Sequence, residues 1–132
     1  MEEGTISAQV NEVRILGRVS GTPRRRRLPS GDEVVSVRLV VPRPDGAEEV
    51  PRHRRPSVDT IECVAWGSRQ QALMAELGTD EFVFVTGALR RRFWRAGGVV
   101  ASVVEVEVSR LQRVSAPAEP IRDRCARQAS DA

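Results

Sequence analysis

Residues 60–78 read Thr-Ile-Glu-Cys-Val-Ala-Trp-Gly-Ser-Arg-Gln-Gln-Ala-Leu-Met-Ala-Glu-Leu-Gly, and within this stretch an alternating pattern gives way to a helical one. From Thr60 to Trp66 the side chains fall on two faces, Ile61, Cys63 and Ala65 on one and Thr60, Glu62, Val64 and Trp66 on the other, as a strand requires. Gly67 ends the strand. Ser68 and Gln71 then form an S-x-x-Q capping box, and Ala72, Leu73, Met74, Ala75 and Leu77 extend a short helix to Gly78, the expected stop.

Strands flank this unit on both sides. Upstream, residues 12–19 place Val13 and Ile15 opposite Arg14 and Arg18, and Val34 to Val41 alternates Val35, Val37, Leu39 and Val41 with Ser36 and Arg38. Between them, Ser20 to Pro23, the run Arg24 to Arg27 and Pro29-Ser30-Gly31-Asp32 predict a turn-rich loop. Residues 42–58, with four prolines, Asp45-Gly46, Glu48-Glu49 and Arg52-His53-Arg54-Arg55, predict a long exposed hairpin loop. Downstream, Phe82 to Leu89 is a fourth strand running on to Arg95, with Phe82 and Phe84 assigned to the core. Gly97-Gly98 then turns the chain into a fifth strand, where Val104, Val106 and Val108 alternate with Glu105 and Glu107. The order predicts an all-β, five-stranded Greek-key OB-fold barrel with one short helix between strands 3 and 4. It occupies residues 5–115, and residues 116–132, without periodicity, are expected to be a disordered tail.

The 132 residues suffice for one domain and one core. All 21 basic side chains are arginine, which excludes Schiff-base chemistry and a lysine-bearing phosphate loop. There is no tyrosine and a single histidine, His53, with no nucleophile or orienting carboxylate identifiable beside it, so neither catalysis nor a cofactor is expected. One histidine and two distant cysteines, Cys63 and Cys125, predict no metal site, and Cys63 reads as a buried core residue. With no leader-like segment and no apolar run near the roughly 20 residues that span a bilayer, a soluble, cytoplasmic protein is expected. The net charge of +3 makes nucleic acid the first partner class to consider.

Binding unpaired nucleic acid takes cations along the backbone path and aromatic faces for the bases. Trp66 and Trp94 are the candidate stacking residues. Arg90, Arg92 and Trp94, spaced by two, predict a stripe on one side of the fourth strand, and a guanidinium can both contact phosphate and stack. Arg14, Arg18 and Arg38 form a second outward-facing basic set. Arg52, Arg54 and Arg55, like Arg24 to Arg27, are assigned to loops that could follow phosphates. Glu105 and Glu107 read as the solvent face of a strand.

Together these residues resemble the bacterial single-stranded DNA-binding protein family. Asn11 to Val19 resembles its opening strand and Pro23 to Gly31 its Pro-x-Gly turn. Trp66-Gly67 is similar to its aromatic–Gly before the helix, and Val83 to Arg90 with Trp94 to its V-x-x-x-G-x-L-R followed by tryptophan; the likeness spans about residues 10–114. The resemblance implies a homotetramer that wraps single-stranded DNA without sequence preference in replication, recombination and repair, associated with the nucleoid. It also implies stacking by Trp66 and Trp94 and basic contacts by Arg90 and Arg92. Thr60 and Glu62 stand where the family often has a tryptophan and a basic residue. Arg122, Arg124, Arg127 and a Ser-Asp-Ala end stand in place of an acidic tip, so recruitment of other proteins through that tip is not expected. The alternatives are a barrel that serves as a protein-interaction module of a replication or primosome assembly, with weak DNA binding, and an RNA-binding protein.

Overall fold

The computed structural model describes residue 4 and residues 8–44 and 57–115. Five strands and one helix follow in the order β1 (Val13–Arg27), β2 (Glu33–Pro42), β3 (Val58–Ala65), α1 (Ser68–Ala75), β4 (Phe82–Ala96) and β5 (Val99–Val114). They close into a barrel in the order β1-β2-β3-β5-β4, the OB-fold arrangement expected from the sequence. Every pairing is antiparallel except that of β3 with β5. The expected tail and most of the 42–58 loop, including Arg52, His53, Arg54 and Arg55, lie outside the described residues, as does Cys125.

Closure depends on β1. Its first half pairs with β4, Val13 opposite Gly87 through Arg18 opposite Phe82, and its second half pairs with β2, Arg18 opposite Val40 through Arg27 opposite Glu33. The register shifts between Ser20 and Arg24, where Gly21 has φ 80. The stretch expected to be a loop is therefore a bulge followed by more strand, and Arg24 to Arg27 belong to β1. A bulge lets one strand bend from one neighbour to the next without ending.

Inside the barrel, Ile15, Val19, Val35, Val37, Leu39, Cys63, Ala65, Val83, Val85, Val106 and Val108 form the core, and Met74 and Leu77 pack against it from α1 and the turn after it. Burial pushes the Cys63 thiol up to about 12, assisted by the neighbouring Glu62 charge; its expected core role holds.

Phe82 and Phe84 are not core. They are half-buried on the outer face, with Val83 and Val85 turned inward. Gly17 lies opposite Val83, and a Cβ there would already press on Leu39 and Val41 at 3.2 Å, so the interior admits valine at this level and no aromatic ring. Phe84 instead lines a groove of about 540 Å³ with Leu73 of α1 and Thr86, Ser109 and Leu111.

The helix also differs in detail. Its N-cap is Gly67, with no side-chain cap, so Ser68 is the first helical residue and the capping box does not form. Gln71 instead donates through Nε2 to the carbonyls of Glu33 and Trp66, both at 2.8 Å, fixing the helix to the ends of β2 and β3. The helix ends at Ala75, and the left-handed residue of the following turn is Asp80, φ 72, not Gly78.

At Gly87 the β4–β5 register shifts, and a Cβ there would collide with the Glu107 carbonyl. Gly87→Val is expected to destabilise the fold by about 1–3 kcal/mol or more, read from urea unfolding; an unchanged midpoint would contradict the close packing of the two backbones.

Candidate nucleic-acid interface

Past the pair of Leu89 with the core residue Val106, β4 and β5 continue as a two-stranded arm, paired to Ala96 and Val99 and turned by Gly97 and Gly98 at φ 57 and 83. Two successive positive φ values are the requirement of a tight hairpin turn. Alternation along the arm puts Arg90, Arg92 and Trp94 on one face, the predicted stripe.

That stripe is set by carboxylates of β5. Arg90 Nε donates to Glu107 Oε1 at 2.6 Å, and Arg92 reaches Glu105 through Nη2 at 3.2 Å and Nε at 3.5 Å. The guanidinium of Arg92 lies 5.4 Å from the centre of the Trp94 ring, within cation–π range. Glu105 is only 4% exposed. It is not the solvent-facing residue expected from alternation, because Arg92 and its neighbours cover it.

Glu105 belongs to an outer-face patch that is nevertheless buried, with Val34, Ser36 and Val64. Over this patch opens a pocket of about 200 Å³. Arg24 and Arg26 contribute from β1, Ser36 from β2, Glu62 from β3, Arg92 and Trp94 from β4, and Val103 and Glu105 from β5. All five strands therefore meet at one site. Arg26 Nε is buried there without a hydrogen-bond partner among the described residues, a donor whose desolvation none of them compensates.

The residues singled out from sequence divide sharply. Arg92 and Trp94 line the pocket, and Arg90 stands beside them on the same arm face. Trp66, just past β3, is 39% exposed, as is Trp94, but does not line the pocket. Arg38 is on the pocket's side of the sheet, its Nε 3.7 Å from Glu62. Arg18 is held by Asp80 at 2.9 Å, and Arg14 is 4.0 Å from Glu12; neither reaches the pocket. Arg52, Arg54 and Arg55 are outside the described residues.

Glu62 was not singled out as a contact from sequence, and Arg24 to Arg27, expected in a loop that could follow phosphates, lie on β1 instead. Four consecutive arginines have no visible period, yet once extended they split by alternation. Arg25 and Arg27 turn to Glu33, at 3.6 and 3.8 Å, and Arg24 and Arg26 turn to the pocket. The sequence signal available was the position of the run opposite β2.

A closed five-stranded barrel with a tryptophan, several guanidinium groups and buried valines on its outer face defines an oligonucleotide-binding type of barrel. Residues 10–114 match the Single-strand binding protein family, and the chain belongs to that family. Among solved structures it is similar to a Plasmodium falciparum SSB complex with single-stranded DNA. The TM-score is 0.63 and the identity 20%, over 84% of this chain and 100% of that one, a likeness of fold. No curated protein sequence is significantly similar to the chain.

Glu105→Ala removes the counter-charge of a half-buried Arg92 and is expected to cost about 2 kcal/mol, less than the roughly 3–5 kcal/mol of a fully buried pair. Glu105→Gln, which retains an acceptor, should cost less. Urea unfolding of both checks the order, and equal losses would contradict a charge-dependent contact.

Proposed function

We propose that this chain binds single-stranded DNA along the outer face of its barrel, through base stacking on Trp94 and Trp66 and arginine–phosphate contacts. One observation carries the reading: Trp94 and Arg92 converge with Arg24 and Arg26 on one side of the barrel, in a chain of the single-strand binding protein family. Stacking uses the π-face common to all four bases, and arginines address the backbone common to all sequences, so binding by these contacts is sequence-tolerant. Arg90 and Arg92 stand along the arm beside the bases, and Arg14, Arg18 and Arg38 on the outer face of β1 and β2 extend the basic surface. Arg52, Arg54 and Arg55 add charge in the segment between β2 and β3.

The protein acts by binding, without catalysis, in DNA replication, recombination and repair, in the cytoplasm with the nucleoid. It assembles as a homotetramer. Family membership supports this, and so does the second face of the arm, where Leu89, Phe93, Val100 and Val104 are each about half exposed or more. Isolated apolar residues are ordinary on a surface, whereas four sharing one face of a two-stranded arm suit a contact with a second copy.

Trp94→Ala is expected to weaken binding of a thymidine homo-oligomer by about tenfold, since stacking contributes about 1–3 kcal/mol per base. Replacing Trp66 as well should weaken it further. Affinity should also fall as salt rises. Undiminished binding by the double variant, or indifference to salt, would sink the mechanism. In light scattering, the chain should show four times its 14.6 kDa mass, and Phe93→Ser with Val104→Ser should lower it; a monomer at all concentrations would refute assembly.

A further inference from the structure

We propose that the pocket beside Trp94 reads the edge of the base stacked there and favours guanine, with Glu62 as the discriminating residue. The proposal rests on the reading of the outer face as a path for single-stranded DNA and adds a preference to it.

A site that only stacks needs no acceptor aimed at the base edge. This one holds two carboxylates, Glu62 and Glu105. Glu105 is committed to Arg92, which donates to both of its oxygens. Glu62 accepts no hydrogen bond among the described residues, and its neighbouring cation, Arg38 Nε at 3.7 Å, is too far to occupy its lone pairs. An ionised carboxylate is acceptor-only, with two oxygens side by side.

Of the four bases, guanine alone presents two adjacent donors, N1–H and the 2-amino group, along one edge. Adenine and cytosine offer an amino group next to a ring nitrogen that would face the second oxygen repulsively. Thymine offers one N–H between two carbonyls. Guanine also carries acceptors, O6 and N7, on the neighbouring edge, and the pocket supplies in Arg26 Nε a buried donor with no partner among the described residues. The volume, about 200 Å³, lies below the roughly 300–1,000 Å³ of pockets for drug-sized ligands and is of the order needed by one heterocycle. The polar lining is mixed in sign, two carboxylates beside Arg24, Arg26 and Arg92, as suits a base edge that carries both donors and acceptors.

The test compares equal-length oligonucleotides on the intact chain: dT alone, repeats of dT-dT-dC, repeats of dT-dT-dG, and the last with hypoxanthine replacing guanine, which deletes only the 2-amino group. The guanine repeat should bind about fivefold or more tightly than dT, in keeping with the discrimination of a bidentate base contact, and hypoxanthine should lose part of that gain. In Glu62→Gln, whose amide presents one acceptor beside a donor, the ratio of guanine-repeat to dT affinity should fall towards one. Glu76→Gln, on the turn after α1, should leave the ratio as in the parent. Equal affinity of the parent chain for dT and the guanine repeat, or a preference that survives in Glu62→Gln or is unaffected by hypoxanthine, overturns the base preference while leaving DNA binding in place. Failure of every oligonucleotide to bind overturns the DNA-binding reading and this one with it.

Discussion

Everything on the candidate binding face depends on one strand serving two neighbours. β1 pairs with β4 and then, past its bulge, with β2, so the same chain segment closes the barrel and brings Arg24 and Arg26 to the far side of the sheet. Backbone hydrogen bonding requires it. Had the chain left the sheet at Gly21, the backbone groups of β2 from Glu33 to Ser36 would lose the partners they have in Arg24 to Arg27. The closed edge and the arginine wall of the pocket therefore have a common origin.

On that frame the candidate binding face is built from charge held in place by opposite charge. With arginine as its only strongly basic residue, the chain uses planar, multidentate cations, which carboxylates can orient. Glu105 orients Arg92, and Glu107 orients Arg90. Arg92 in turn lies against Trp94, so the position of an aromatic ring on the arm is linked to a carboxylate on the adjacent strand. The valines and Ser36 beneath supply a dry floor, on which such contacts are stronger than in water.

The order of elements was legible because contrast along the chain was high. β2 and β5 alternate apolar with polar residues, the helix interrupts that period, and Gly97-Gly98 can hardly be other than a turn. Contrast failed in two places, for opposite reasons. Phe82-Val83-Phe84-Val85 is apolar in both phases, and only the narrow interior opposite Gly17 decides that the valines point in. Arg24 to Arg27 is polar in both phases, and only pairing with β2 decides which two arginines reach the site. Of the site itself, the stripe of Arg90, Arg92 and Trp94 followed from spacing, whereas its neighbours Arg24, Arg26 and Glu62 come from other strands. Sequence spacing within one strand says nothing about what lies across a closed sheet.

The ion pairs on the outer face also alter the thermodynamics of association with a polyanion. A free arginine that meets a phosphate liberates a condensed counterion from the nucleic acid, and the number liberated sets how steeply affinity falls with salt. Arg90, Arg92 and Arg38 already have Glu107, Glu105 and Glu62 as neighbours. These carboxylates are counterions that cannot diffuse away. A phosphate that displaces one leaves an uncompensated negative charge tethered within the same interface, able to attract a mobile cation back. Counting arginines would therefore overstate the salt slope, and the shortfall would measure how many of these pairs stay intact when the polymer is bound.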